Sequence, residues 1–144
     1  MVEAQRQQYA RIVTIELAPD LARAAQARFE SAPHITVIEG DSAEKISEAI
    51  GIMDGPILFW LDGHFSGGST AGDDEACPIM KELACIANRR QGRDVVMIDD
   101  ARLFGWRKGY PAISSMRRFA SSRFPQHEFK VEEDMIQILP KQER

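Results

Sequence analysis

Cysteine is scarce in this sequence, with only Cys77 and Cys85 among its 144 residues. They lie eight positions apart in a segment with helical periodicity, and this spacing fits no zinc-binding pattern. Such cysteines are usually small buried apolar side chains. The two cysteines therefore predict a reducing, cytoplasmic setting.

Long apolar runs and strongly basic stretches are also missing. No segment approaches the ~18 apolar residues that a membrane-spanning helix needs, and the first ten residues lack the apolar centre of a signal peptide. The 18 basic residues are outnumbered by 22 acidic ones, which gives a net charge of -4, and no basic stripe carries interleaved aromatic residues. We therefore expect neither a membrane nor a nucleic acid as a partner.

The sequence instead alternates short apolar runs with segments of helical periodicity. Runs of this kind are typical of strands buried in a parallel sheet, and three- and four-residue apolar spacing is typical of helices. The predicted strands cover residues 11–17, 35–38, 57–61 and 95–98, and the predicted helices cover 19–30, 41–50, a segment after the acidic residues 73–75, and a segment from 113 to near 125. Two alternating runs, 127–131 and 135–139, predict a closing antiparallel hairpin.

This order of elements predicts an α/β fold. One domain over residues 1–144 is expected, a three-layer α/β/α sandwich of the Rossmann type with a mainly parallel sheet. In the first helix, Leu21, Ala25 and Phe29 are expected to face the core. Asp41 with Glu44 predicts a capping box at the start of the second helix.

Acidic residues follow two of the buried runs. Asp62 ends the run 57–61 and precedes His64 in a glycine-rich loop, and Asp99 with Asp100 ends the run 95–98. Ligands of open α/β sheets bind at the carboxyl ends of strands. A strand-end aspartate also commonly caps a turn, and a loop histidine is commonly only hydrogen-bonded, so the recurrence at two strands is what favours a functional site. The loop lacks the lysine of a Walker-type sequence and is no P-loop.

From residue 11 to its end the chain resembles a class I S-adenosylmethionine-dependent methyltransferase read from that family's second strand onward. In the family an acid at the end of the second strand binds the ribose hydroxyls, and Glu16 matches it. An acid after the third strand contacts the adenine amino group, and Asp41, followed by Ser42, matches it. The resemblance implies S-adenosylmethionine as the cofactor, with Glu16, Asp41, Ser42 and Asp62 as its binding residues.

The paired strand-end acids resemble, more narrowly, those of the metal-dependent O-methyltransferases of the macrocin and catechol types. There such acids hold a magnesium ion that orients the hydroxyls of a small-molecule substrate, which implies Asp62, Asp99 and Asp100 as metal ligands here. Neighbouring strands lie ~4.8 Å apart, so carboxylates at the same level can reach one ion, and magnesium prefers hard oxygen ligands. The resemblance implies catalytic roles for Asp62 and for His64, which could accept the proton of the substrate hydroxyl.

One departure from the family is large. Its first strand ends in a glycine-rich loop that holds the cofactor, and no glycine precedes Arg11 in this chain. We therefore expect an N-terminally truncated chain that lacks the first strand. Two other functions stay open: a non-catalytic, methyltransferase-like module that binds a partner or forms a homo-oligomer, and a metal-dependent hydrolase that uses the same acids.

Overall fold

The computed structural model describes residue 2 and residues 8–62, 77–89 and 92–142. It shows a mixed α/β protein with four α-helices and two sheets in this part of the chain. The contacts divide the chain into two compact units, residues 1–54 and residues 55–144. No helix in the described residues combines the length and apolarity needed to cross a membrane.

The first unit contains two strands, each followed by a helix. Its elements are β1 (Ile12–Glu16), α1 (Pro19–Arg28), β2 (Ile35–Glu39) and α2 (Ser42–Ile52). The strands are parallel and pair Ile12 with Ile35 through to Glu16 with Glu39. Helix α1 packs on both strands and α2 packs on β1. The predicted strands and helices are thus present, with ends that differ by one or two residues.

The buried side of α1 differs from the predicted stripe by one position. Leu21 was expected in the core but is 59% exposed, whereas Ala22 is fully buried and Phe29 is 9% exposed. Pro19 begins the helix, and its core-facing side consists of Ala22, Ala25 and Phe29, which are spaced by three and four residues. The prediction for Leu21 was therefore wrong, because alanine at helical spacing was passed over for the larger side chain.

The second unit contains a four-stranded sheet and two α-helices. Its elements in chain order are β3 (Leu58–Leu61), α3 (Ile79–Asn88), β4 (Val95–Ile98), a 3-10 turn (Ala101–Leu103), α4 (Ile113–Arg123), β5 (His127–Glu132) and β6 (Met135–Pro140). The strand order is β3-β4-β6-β5. Strands β3 and β4 are parallel, and β6 is antiparallel to both of its neighbours, which confirms the closing hairpin.

The core of this unit lies on one face of its sheet. Val96 pairs with Ile138 and Ile98 pairs with Ile136, so these four side chains share a face, and each is at most 1% exposed. Three apolar residues of α3 are equally buried: Ile79, Leu83 and Ile86. They are spaced by four and three residues and form the buried side of that helix.

Candidate functional site

The carboxyl ends of β3 and β4 lie side by side. Leu61 pairs with Ile98 in the parallel register, and the amide of Asp99 donates a 3.0 Å hydrogen bond to the Leu61 carbonyl. Asp62 and Asp99 therefore leave neighbouring strands at the same level. Asp62 is exposed and Asp99 is partly buried. These are two of the three aspartates that the sequence suggested as magnesium ligands.

Asp100 turns sharply away from the strand direction. Its backbone is left-handed, with φ 57° and ψ 47°, and its amide donates a 2.8 Å hydrogen bond to Oδ1 of Asp99. Aspartate tolerates this conformation better than most residues because its short polar side chain can bond locally. The side chain of Asp100 is only 6% exposed. The two adjacent acids therefore occupy different environments at the end of one strand.

A salt-bridge cluster surrounds Asp100. Nη2 of Arg102 lies 2.6 Å from Oδ1 of Asp100, and Nη1 of Arg102 pairs with the carboxylate of Asp134. Asp134 also accepts a 2.8 Å hydrogen bond from the amide of Arg102 through its side chain and a 2.7 Å bond from the amide of Ala101 through its carbonyl. The hairpin turn between β5 and β6 is thereby fastened to the segment that follows β4.

Two of the three acids assigned to the cofactor, Glu16 and Asp41, lie in the first unit, at the end of β1 and just after β2, whereas Asp62 belongs to the second unit. Glu16 pairs with Glu39 in the register, and its carbonyl accepts a 3.0 Å hydrogen bond from the amide of Gly40. Asp41 caps α2, because its Oδ1 accepts a 2.8 Å hydrogen bond from the amide of Ala43. Ser42 is the first residue of that helix. The predicted N-cap is present, and it engages one of the two carboxylate oxygens of Asp41.

Part of the predicted site lies outside the described residues. His64, the glycine-rich loop 63–72 and the acidic segment 73–75 belong to residues 63–76. In the segment 102–110, which follows β4, Phe104 is 2% exposed and meets Tyr110 edge-on at 5.2 Å between ring centroids, whereas Trp106 is 91% exposed. Phe104 therefore belongs to the core, and Trp106 is presented to solvent.

The donor chemistry of the strand-end acids suits magnesium. In the described part of the chain, however, no group of three His, Cys, Asp or Glu side chains is arranged to hold a metal ion. Magnesium is commonly held by only one or two carboxylates and keeps several waters. Asp62 and Asp99 contribute two carboxylates from neighbouring strand ends, while the carboxylate of Asp100 is engaged by Arg102.

A polar groove of about 550 Å³ lies at the other end of the second sheet, where β4 begins. Asp94, 2% exposed, is one of its lining residues, and its carboxylate pairs with Nε of Arg89 at 2.9 Å and accepts a hydrogen bond from the amide of Ile57 at 2.9 Å. Nε2 of His127 lies 2.8 Å from the carbonyl of Asp94. This cluster ties together the beginnings of β3, β4 and β5. Acids at strand ends do not indicate this cluster, because its partners are up to 37 positions apart in sequence.

No protein-family model matches the chain, and no curated protein sequence matches it. The resemblance to methyltransferases therefore rests on the strand-end acids and on the order of the strands.

Proposed function

We propose that the chain is an S-adenosylmethionine-dependent O-methyltransferase-like domain, assisted by magnesium, that acts on a small hydroxylated substrate. The α/β elements and the final antiparallel hairpin support this proposal, because the family closes its sheet in the same way. The finer architecture that we propose is that family's three-layer, Rossmann-like sandwich, in a cytoplasmic protein with reduced thiols.

The observation that carries the proposal is the pairing of strands that end in acids. Glu16 ends β1 beside Glu39, and Asp62 and Asp99 follow β3 and β4, each pair at one level of a parallel register.

The proposed cofactor residues have chemistry that suits S-adenosylmethionine. The Glu16 carboxylate can accept hydrogen bonds from both ribose hydroxyls. Asp41 has a second carboxylate oxygen beside the one used in the helix cap, and this oxygen can accept the adenine amino group. We assign Ser42 to the same cofactor by the resemblance.

The proposed methyl transfer needs a substrate hydroxyl that is oriented and deprotonated. We assign Asp62 and Asp99 to the magnesium ion, which, when bound, supplies positive charge that favours loss of the hydroxyl proton. Asp62 would also orient the hydroxyl, and His64 is proposed to accept its proton. The exposed position of Asp62 is compatible with contact to a substrate.

Isothermal titration with S-adenosylhomocysteine, with and without magnesium, tests the proposal. We expect binding heat from the wild-type chain, loss of at least about tenfold in affinity for Glu16→Gln, and no change for Glu30→Gln, which removes the same charge from an exposed position. Absence of heat from the wild-type chain, with the fold verified by circular dichroism, would remove the enzyme function for this chain.

A self-associating module is the second candidate, and the edge of the second sheet favours it. In the described part of the chain β3 is an edge strand without charged residues, and its Leu58 and Trp60 are 42% and 40% exposed. Such an edge can pair with another copy. Sedimentation velocity should then show a dimer that Trp60→Glu dissociates and Trp106→Glu, at a 91% exposed position, does not. A wild-type monomer contradicts this function.

A further inference from the structure

The strand-end site contains a positive charge of its own. The guanidinium of Arg102 lies 2.6 Å from the carboxylate of Asp100 and also pairs with Asp134. The side chain of Asp100 is 6% exposed and that of Arg102 is 60% exposed. A buried carboxylate is costly unless a counter-charge or hydrogen bonds compensate it. Arg102 supplies that charge from the solvent side.

The backbone around this pair holds the guanidinium in place. Asp134 accepts hydrogen bonds from the amides of Ala101 and Arg102, so the hairpin turn fixes the residue that carries the guanidinium. Glu133 and Asp134 have φ angles of 50° and 62°, the left-handed pair of a tight two-residue hairpin turn. Arg102 therefore pairs with one carboxylate just after β4, that of Asp100, and with another in the hairpin turn, that of Asp134.

We propose that Arg102 is the counter-cation of Asp100 and prevents this carboxylate from coordinating the metal ion. This inference rests on the proposed function, in which Asp62 and Asp99 hold that ion. A guanidinium is always charged at working pH, so it competes with a divalent ion for the same oxygens and repels that ion. An ion with two carboxylate ligands keeps more positions for waters and substrate oxygens. Arg102 thus sets how strongly the site binds its metal.

Titration of the protein with Mn²⁺ alone, followed by the electron paramagnetic resonance signal of the free ion, tests this role without any cofactor. Arg102→Gln is expected to bind Mn²⁺ about tenfold more tightly than the wild type, the scale on which neighbours of metal ligands change affinity. Arg118→Gln removes the same charge from an exposed helical position and should match the wild type. Affinity in Arg102→Gln no greater than in the wild type overturns the proposal, whether the wild type binds weakly or not at all.

Two further variants separate charge from structure. Asp100→Asn leaves the positive charge of Arg102 less compensated, so it should bind Mn²⁺ no more tightly than the wild type, and it should abolish the gain when combined with Arg102→Gln. Arg102→Lys keeps a positive charge near Asp100, so its affinity should stay near that of the wild type even if Asp100→Asn does not fold. A gain of Mn²⁺ affinity in Asp100→Asn alone, a gain that persists in the double variant, or a full gain in Arg102→Lys contradicts the role of Arg102. Mn²⁺ binding is measured without S-adenosylhomocysteine. Its result therefore does not depend on whether the calorimetric titration detects binding of that cofactor product.

Discussion

Both units contain parallel strands that end at acidic residues, but the strands of the two units are buried to different extents. In each, two parallel strands run in register and end at acids, Glu16 with Glu39 in one unit and Asp62 with Asp99 in the other. The second unit has strand residues that are fully buried, whereas every residue of β1 is only half-buried in a two-stranded sheet. Two strands alone are only marginally stable in water. An acid at a strand end therefore indicates where a ligand could bind, but the sheet behind the acid decides how firmly that acid is held in place.

The largest expected effect is at the buried ion pair of the second unit. Asp94→Ala leaves Arg89 and the amide of Ile57 without their partner, and we expect it to lower the free energy of unfolding by about 3–5 kcal/mol. The matched change in the first unit is Asp20→Ala, which breaks an ion pair with Arg23 whose side chains are 92% and 63% exposed and should change stability by less than about 1 kcal/mol. Urea denaturation followed by circular dichroism measures both. Equal losses would remove the contrast between the units.

The next effect concerns apolar packing. Leu83→Ala empties a fully buried position in α3 and should cost about 3 kcal/mol, because the lost apolar contact and the remaining cavity both destabilise the fold. Leu21→Ala removes the same atoms from a residue of α1 that is 59% exposed and should stay within about 0.5 kcal/mol. Thermal unfolding of both variants provides the comparison. A large cost at Leu21 would mean that this side chain is covered in solution.

Local sequence patterns predicted the helices and strands better than they predicted the order of strands in the sheet and the pairing of charged side chains. The bounds of β4, the hairpin and the cap at Asp41 follow from apolar runs, alternation and capping chemistry over a few residues, and all three are confirmed. The placement of β6 between β4 and β5 was not predicted, because local alternation does not say which strand joins the sheet interior. The pairing of Asp100 with Arg102 was missed because it depends on a left-handed residue directly after the strand.

A smaller effect is expected at the helix cap of the first unit. Asp41→Ala removes the hydrogen bond to the amide of Ala43 and should destabilise α2 by about 1 kcal/mol. Amide hydrogen exchange measures this within the unit, as faster exchange confined to the first turn of the helix. Glu48→Ala breaks only an exposed pair with Lys45 and serves as the control. If exchange rises equally in the second unit, the two units do not open separately.

The smallest effect is a dependence of stability on pH at Cys77 in the second unit. Burial raises the pKa of this thiol above its ordinary value of 9.0, and Glu82 adds to the rise, although a hydrogen bond from the backbone of Ile79 partly opposes it. Below pH 9.0 the thiol is protonated in both states, so its contribution to stability is complete; as pH rises further the unfolded chain ionises first and the contribution is lost. Cys77→Ala should therefore flatten the fall of stability above pH 9.0 relative to the wild type, and Cys85→Ala is the control. Alkylation with iodoacetamide gives an independent measure, because a protonated buried thiol reacts slowly, and fast labelling of Cys77 in the folded protein would contradict its burial.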